Sequence, residues 1–285
     1  MKTWLDGKMV DAGSASVNVY DHGLLYGDGV FEGLRAYSGT IFMVAAHVDR
    51  LFHSARAIRL EIPYDKQAIT DAMYETLRQN GLADGYIRLV VTRGCGTLGL
   101  NPFKCSKASV FIITDQIEMY SRKMYNEGMS VIVASTVRNA PNAISPRIKS
   151  LNYLNNILAR IEAVDAGVAE AIMLNTSGLV CEATGDNIFV VREGTVVTPP
   201  VNAGLLAGVT RAAVMDLARK ANVPMVEADV SRYDLYTADE CFLTGTAAEV
   251  IGVTHIDGRT IGSGEVGPIT RRITEDFHTL VRKQN

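Results

Sequence analysis

Apolar and polar positions alternate or recur along this chain in runs that predict a mixture of strands and helices. Residues 4–10 read as a hairpin around Asp6-Gly7, and residues 30–44 as a second one around Ser38-Gly39-Thr40. From Val48 onward, Val48, Leu51, Phe52, Ala55 and Ile58 recur at helical spacing, and Asp65 stands where it can cap a second amphipathic helix ending before Gly81. Strands return at 86–92 and 110–114. The next stretch, QIEMYSRKMYNEG (116–128), loses the alternation and carries several charges between two strands, which marks a domain boundary.

The second half opens with a strand at 130–136 and a loop, RNAPNAISPRIKS, whose Pro141 and Pro146 exclude a helix. A long helix follows, with Tyr153, Leu154, Ile157, Leu158, Ile161 and Val164 as its apolar face and Gly167 as its stop. Strands at 171–174, 187–191 and 196–198 lead through Pro199-Pro200 to a glycine-bearing loop and a helix at 210–221. Two more strand and turn units and a helix at 269–282 complete the chain. Strands and helices do not alternate strictly, so the expectation is α+β: a domain at 1–117, a linker at 118–129 and a domain at 130–285.

Composition narrows the functional classes. With 285 residues, 47% hydrophobic and 21% charged, the chain can bury a large core and is not disordered. Its formal net charge of -3 comes without runs of like charge, so nucleic acid and anionic membranes are poor partners. No apolar stretch approaches the roughly 18 residues that span a bilayer, and Asp6 and Asp11 interrupt the N-terminus, so a soluble, cytoplasmic protein is expected. Cys95, Cys105, Cys181 and Cys241 form no C-x-x-C pair, and the five histidines lack ligand spacing, so reduced thiols and no bound metal are expected.

One short motif fits a dinucleotide site and fails its physical requirement. Gly94-Cys95-Gly96-Thr97-Leu98-Gly99 follows a strand, but Leu100-Asn101-Pro102 opens no helix whose N-terminus could meet a pyrophosphate. A flexible loop beside a substrate pocket is the better reading. Lys149 is a stronger lead. It lies in a Pro- and Asn-rich loop just ahead of an apolar helix, where an amine can be held against a cofactor, although a solvated loop lysine is the ordinary case. Gly208-Val209-Thr210 opens a helix and suits a phosphate, with a plain N-cap as the alternative for Thr210. Gly245-Thr246-Ala247-Ala248 is a second small-residue turn that can offer N–H groups to an anion. Arg50 and Glu182, each an ordinary surface residue alone, complete a set of amine, phosphate clamp and carboxylate. That set matches the needs of pyridoxal phosphate.

In this order and spacing the residues resemble the fold-type IV pyridoxal-phosphate enzymes, most closely the branched-chain amino-acid aminotransferases. The likeness runs through YGDGVFEGLRAY (26–37), HVDRL (47–51), YIRLVV (86–91), GLNP (99–102), KSLNYLNN (149–156), CEATGDNIF (181–189), GVTR (208–211) and LTGTAAE (243–249). It implies a smaller N-terminal α/β sandwich domain and a larger C-terminal domain with a mixed or pseudo-barrel sheet. By the same resemblance Lys149 is the Schiff-base lysine and the proton shuttle, and Glu182 the partner of the pyridine nitrogen. Arg50, the N–H groups of Val209 and Thr210, and Thr246 form the phosphate cup, with Tyr153 near the cofactor 3′-oxygen and Leu206 against the ring.

Substrate selection is assigned by the likeness to Phe31, Gly33, Arg35, Tyr86 and Arg88, with the N–H groups of Thr246 and Ala247 on the carboxylate side. Tyr26 and Leu100, on the loop of residues 94–100, are implied to reach a neighbouring subunit's site, so a homodimer at least is expected. The implied reaction is transamination of L-leucine, L-isoleucine and L-valine with 2-oxoglutarate. D-amino-acid or (R)-amine aminotransferase and aminodeoxychorismate lyase are the alternatives on the same fold, which VFEGLRAY and GTAAE disfavour. The sequence departs from the family pattern at Ala183-Thr184 and Ala207, which bear on cofactor affinity and ring tilt more than on reaction type.

Overall fold

The computed structural model describes residues 1–283, which divide into two compact units. The first holds Met1–Ile117, Ile148–Asn152 and residues 281–283; the second holds Glu118–Arg147 and Tyr153–Leu280.

In the first unit, β1 (Lys2–Leu5), β2 (Lys8–Asp11), β3 (Gly29–Tyr37), β4 (Thr40–Ile41), β5 (Gly85–Thr92) and β6 (Ser109–Asp115) form an antiparallel sheet of order β2-β1-β6-β5-β3-β4. The helices are α1 (His22–Tyr26), α2 (Val44–Ala57) and α3 (Lys66–Gln79). Asp6 and Gly7 turn the first hairpin at φ values of 47° and 91°, the positive pair that a two-residue turn demands. Asp65 caps α3 by accepting the Ala68 N–H at 2.8 Å. The alternation decides what faces what. Val30, Leu34, Ala36, Ile87, Leu89 and Val91 form one core with Val48, Leu51, Ala55, Ile69, Met73 and Leu77 of the helices. The intervening residues of β3 and β5 therefore share the opposite face of the sheet.

Two expectations change here. The second hairpin ends at Ile41, and α2 begins at Val44 inside the range read as strand. Residues 148–152, expected in the C-terminal domain, join the first unit through backbone pairing with β3. There the Phe31 N–H donates to the Lys149 carbonyl (2.9 Å) and the Leu151 N–H to that of Gly29 (3.0 Å).

The second unit contains α4 (Arg122–Glu127), β7 (Met129–Val133), α5 (Leu154–Asp165), β8 (Glu170–Leu174), β9 (Val180–Ala183), β10 (Asn187–Arg192), β11 (Thr195–Thr198), α6 (Val209–Lys220), β12 (Met225–Glu227), α7 (Arg232–Tyr236), β13 (Glu240–Gly245), β14 (Glu249–Ile256), β15 (Arg259–Thr260) and α8 (Pro268–Lys283) up to Leu280. The sheet is mixed, in the order β12-β11-β10-β13-β14-β7-β8-β9, with β15 on β14. The β7–β8, β14–β7 and β11–β12 pairs are parallel and the others antiparallel. Its end strand β9 lies against β10, so the sheet curls back on itself.

The expected linker at 118–129 is an ordered part of this unit. Ser121 caps α4, and Tyr120, Met124 and Tyr125 pack into the core while the charged side chains stay outside, which is why the stretch read as a boundary. The apolar face expected for α5 is corrected as well. Its small residues Ala159 and Ala163 pack with Ala134, Ala171 and Met173, whereas Leu154, Ile157, Leu158, Ile161 and Val164 are 47% to 67% exposed. Alanine permits the closest approach of a helix to a sheet, and the bulky stripe is left facing outward. Among the described residues no helix is long and apolar enough to cross a membrane.

Candidate active site

The first unit gathers most of the residues expected to meet substrate. In register Gly33 pairs with Arg88 and Arg35 with Tyr86, so Phe31, Gly33, Arg35, Tyr86 and Arg88 lie on the sheet face turned away from α2 and α3. Arg88 Nη2 donates to the Tyr86 hydroxyl at 3.0 Å, and its guanidinium carbon lies 4.6 Å from the Phe31 ring centroid. Gly33 makes room for this pair, since a Cβ there would fall 2.1 Å from Tyr86 Oη. Arg35 stacks elsewhere, over Tyr37 at 5.2 Å. Lys149 joins the group through the pairing of its segment with β3, and its Nζ lies 4.6 Å from the same Phe31 centroid.

On the helix side of β3, fully buried Glu32 accepts Arg50 Nε–H and Nη2–H at 2.7 Å each and faces His47 Nδ1 at 2.8 Å. Burial alone would raise the Glu32 carboxyl, but the Arg50 guanidinium and the His47 ring outweigh it and hold the group at about 2. Burial pushes the His47 imidazole below its ordinary value despite the pull of Glu32. Arg50, which as a helix surface residue would be solvated, is thus fixed by a bidentate fork. Neither Glu32 nor His47 was singled out from the sequence, although both lie inside motifs that carry the family likeness. Tyr26, the last residue of α1, holds the loop that carries Leu100: the Gly99 N–H donates to Tyr26 Oη at 3.0 Å, and Leu100 is 81% exposed.

The second unit centres on Glu182 of β9, which is buried. Its carboxylate accepts Arg138 Nε–H at 3.0 Å, the Leu206 N–H at 3.0 Å and Asn187 Nδ2–H at 3.3 Å. Asn187 also donates to the Leu206 carbonyl at 2.9 Å. These donors favour an ionised, immobile carboxylate. Arg138 and Asn187 escaped sequence reading; the signal for them was an arginine opening the Pro- and Asn-rich loop and an asparagine starting the strand after Gly185.

Close by in sequence, Gly208 is the N-cap of α6 and no side chain caps that helix, so Thr210 is its second residue rather than its cap. A Cβ on Gly208 would stand 2.0 Å from Asn187 Oδ1, which couples the helix start to the Glu182 network. Val209 and Thr210 are buried at that start, and Ala247 is buried in the turn that also holds Thr246. The turn is preceded by Thr244, whose buried Oγ1 has no hydrogen-bond partner among the described residues. Tyr153 sits at the start of α5. Among the described residues no group of His, Cys, Asp and Glu could hold a metal ion.

An antiparallel α+β unit bearing a tethered lysine, and a curled mixed sheet bearing a fixed carboxylate beside an uncapped helix start, define a class of amino-group-transferring enzyme. The chain belongs to that family: the amino-transferase class IV family model matches residues 29–256. A protein of Methanocaldococcus jannaschii is 49% identical over 99% of this chain and 97% of its own length. The branched-chain-amino-acid aminotransferase of Pseudomonas aeruginosa is 39% identical over 98% and 92%. The crystal structure of the Escherichia coli branched-chain amino acid aminotransferase superposes with a TM-score of 0.96 at 35% identity, covering 98% of this chain and 94% of that one. That of the Thermobaculum terrenum branched-chain amino acid aminotransferase in its PLP-form gives 0.90 at 30% identity, covering 100% and 94%.

Proposed function

We propose that this protein transfers the amino group of L-leucine, L-isoleucine or L-valine to 2-oxoglutarate with pyridoxal 5′-phosphate as cofactor. The observation that carries the reading is Lys149 Nζ standing 4.6 Å from the Phe31 ring, on an aromatic face shared with Tyr86 and Arg88. The donor set fits the cofactor. In the second unit the orphaned Thr244 hydroxyl and the uncapped start of α6 suit a phosphate, and the fixed Glu182 carboxylate suits a protonated ring nitrogen.

When bound, pyridoxal phosphate supplies an aldehyde that condenses with amines and a ring that withdraws electrons from Cα. Lys149 Nζ would be the amine that holds the cofactor and the base that takes the proton from the substrate Cα. Glu182, kept ionised by Arg138 and the Leu206 N–H, would keep the proton on the pyridine nitrogen. Arg50, Val209, Thr210 and Thr246 would hold the phosphate, Leu206 would pack on the ring and Tyr153 would lie at its 3′-oxygen. The Phe31 and Gly33 face would take the aliphatic side chain, Arg88 or Arg35 the second carboxylate of 2-oxoglutarate, and Thr246 and Ala247 the α-carboxylate.

A homodimer is part of the proposal. The outward stripe on α5 and the exposed Tyr26, Leu98 and Leu100 are an unusual amount of bulky apolar surface for a monomer. The four cysteines are free thiols, which accords with a cytoplasmic location. An absorbance titration tests the reaction: L-leucine should bleach the yellow band of the purified protein and 2-oxoglutarate restore it. Bleaching by D-alanine instead would overturn the proposal.

A further inference from the structure

Behind the Gly245-Thr246-Ala247-Ala248 turn lies a buried acidic pair that the chemistry above does not use. Asp186, in the turn between β9 and β10, and Glu170, at the start of β8, are both nearly inaccessible to water. The Tyr120 hydroxyl stands between them, 3.2 Å from Asp186 Oδ2 and 3.4 Å from Glu170 Oε2. The donors are divided unequally. Glu170 has the Arg160 guanidinium at 2.9 Å, its own neighbour's Ala171 N–H at 2.7 Å, and the hydroxyl and N–H of Thr184. Among the described residues Asp186 has the single shared hydroxyl of Tyr120 and no cation in contact. Glu182 adds negative charge from β9, while Arg160 on α5 pulls the other way. One hydroxyl proton cannot serve two carboxylates, and an unsolvated carboxylate without a counter-ion is costly.

The Asp186 carboxyl also touches the turn. A Cβ on Gly245 would fall 1.8 Å from its Oδ1, so this oxygen occupies the space a Gly245 side chain would need. A charged carboxylate in that place would oppose any oxyanion held by the N–H groups of the turn. We propose that Asp186 is a positioning residue that works as the neutral acid: held against the Tyr120 hydroxyl, it packs beneath Gly245 without repelling the oxyanion that the turn holds. Burial, with Glu170 next, pushes its carboxyl up to about 7, in the range where cells operate. The inference rests on the functional reading above for the oxyanion, which is either the cofactor phosphate or the substrate carboxylate.

The test uses the holoenzyme and Asp186→Asn from pH 5.5 to 8.5. In one arm the dissociation constant of 4-methylpentanoate is measured; in the other, the loss of cofactor on dialysis. The wild type should weaken toward one of the two by about tenfold between pH 6 and 8, and Asp186→Asn should abolish that dependence. Whichever arm responds names the oxyanion. Urea unfolding reads the proton independently. A carboxyl raised in the folded state stabilises at low pH and loses that contribution as pH climbs from its ordinary value toward about 7, so the wild-type midpoint should fall over this window and the variant's should not.

Tyr120→Phe, which removes a donor to the charged form, should move the wild-type midpoint of the pH dependence upward. Identical pH profiles in wild type and Asp186→Asn, in binding and unfolding alike, would overturn the proposal. An unfolding difference with unchanged binding in both arms would overturn the positioning role. A wild type that binds neither cofactor nor carboxylate at any pH would overturn the functional reading itself, while the unfolding slope would still report the proton.

Discussion

Gly33 and Tyr86 lie diagonally across the neighbouring strands β3 and β5, so closely that the tyrosine hydroxyl occupies the place of a side chain on the glycine, 2.1 Å from where a Cβ would stand. A tyrosine ring cannot bend away as a lysine end could. The Gly33→Ala protein should therefore displace Tyr86 and with it Arg88, at a cost of about 1–3 kcal/mol of the kind that overpacking brings. Its kcat/KM for L-leucine should fall by about tenfold or more while the protein stays folded. Steady-state kinetics and thermal unfolding check it; an unchanged kcat/KM would place the substrate elsewhere.

Arg88 rather than Arg35 is the arginine grouped with Phe31 and Tyr86, while Arg35 lies over Tyr37. Arg88→Leu should lose activity with 2-oxoglutarate and glutamate about 10- to 150-fold more than with leucine and 4-methyl-2-oxopentanoate, the worth of one charge-assisted hydrogen bond. Half-reaction kinetics with each substrate measure the ratio. Equal losses would assign the arginine to the shared α-carboxylate or to structure.

Lys149→Ala removes the amine beside Phe31 and leaves the backbone pairing of its segment to β3 intact. The variant should fold, lack the yellow band and transaminate about 10⁴-fold more slowly, since covalent attachment and proton transfer lose the same group. Borohydride reduction of the wild type followed by peptide mapping should find the pyridoxyl label on Lys149; a label on another lysine refutes the assignment.

Glu182→Gln keeps the shape of the side chain and replaces an acceptor-only group by one that can donate. The Arg138 guanidinium then loses its buried counter-charge. Cofactor should be retained and turnover should drop by at least about 100-fold, the scale of losing one charge-stabilising contact. Single-turnover kinetics decide it, and wild-type rates would remove Glu182 from the chemistry.

Ile161→Asp tests the outward stripe of α5. In an isolated chain the site is half exposed and the change would be nearly neutral; within an interface it places a carboxylate among apolar side chains. Light scattering should show the wild-type dimer dissociating, with the concentration dependence of a weakened association. A dimer of unchanged mass would move the interface off α5.

The sequence by itself determined the local elements and the chemical kit. The period of two on β3 and β5 and the turn residues Asp6-Gly7 are read from neighbours a few positions apart, and the dispersed motifs carry the family likeness from which the amine, the carboxylate and the anion sites are proposed. What tertiary structure decided involves residues far apart in the chain. Pairing of Lys149 with β3 carried residues 148–152 out of the unit that flanks them, because backbone ladder bonds outweigh proximity along the sequence. Arg138 and Asn187 acquire meaning only when strand register delivers them to the Glu182 carboxylate. On α5 the helical period located the apolar stripe, but its direction depended on the close fit of Ala159 and Ala163 to β8, a matter of shape that hydrophobicity does not encode.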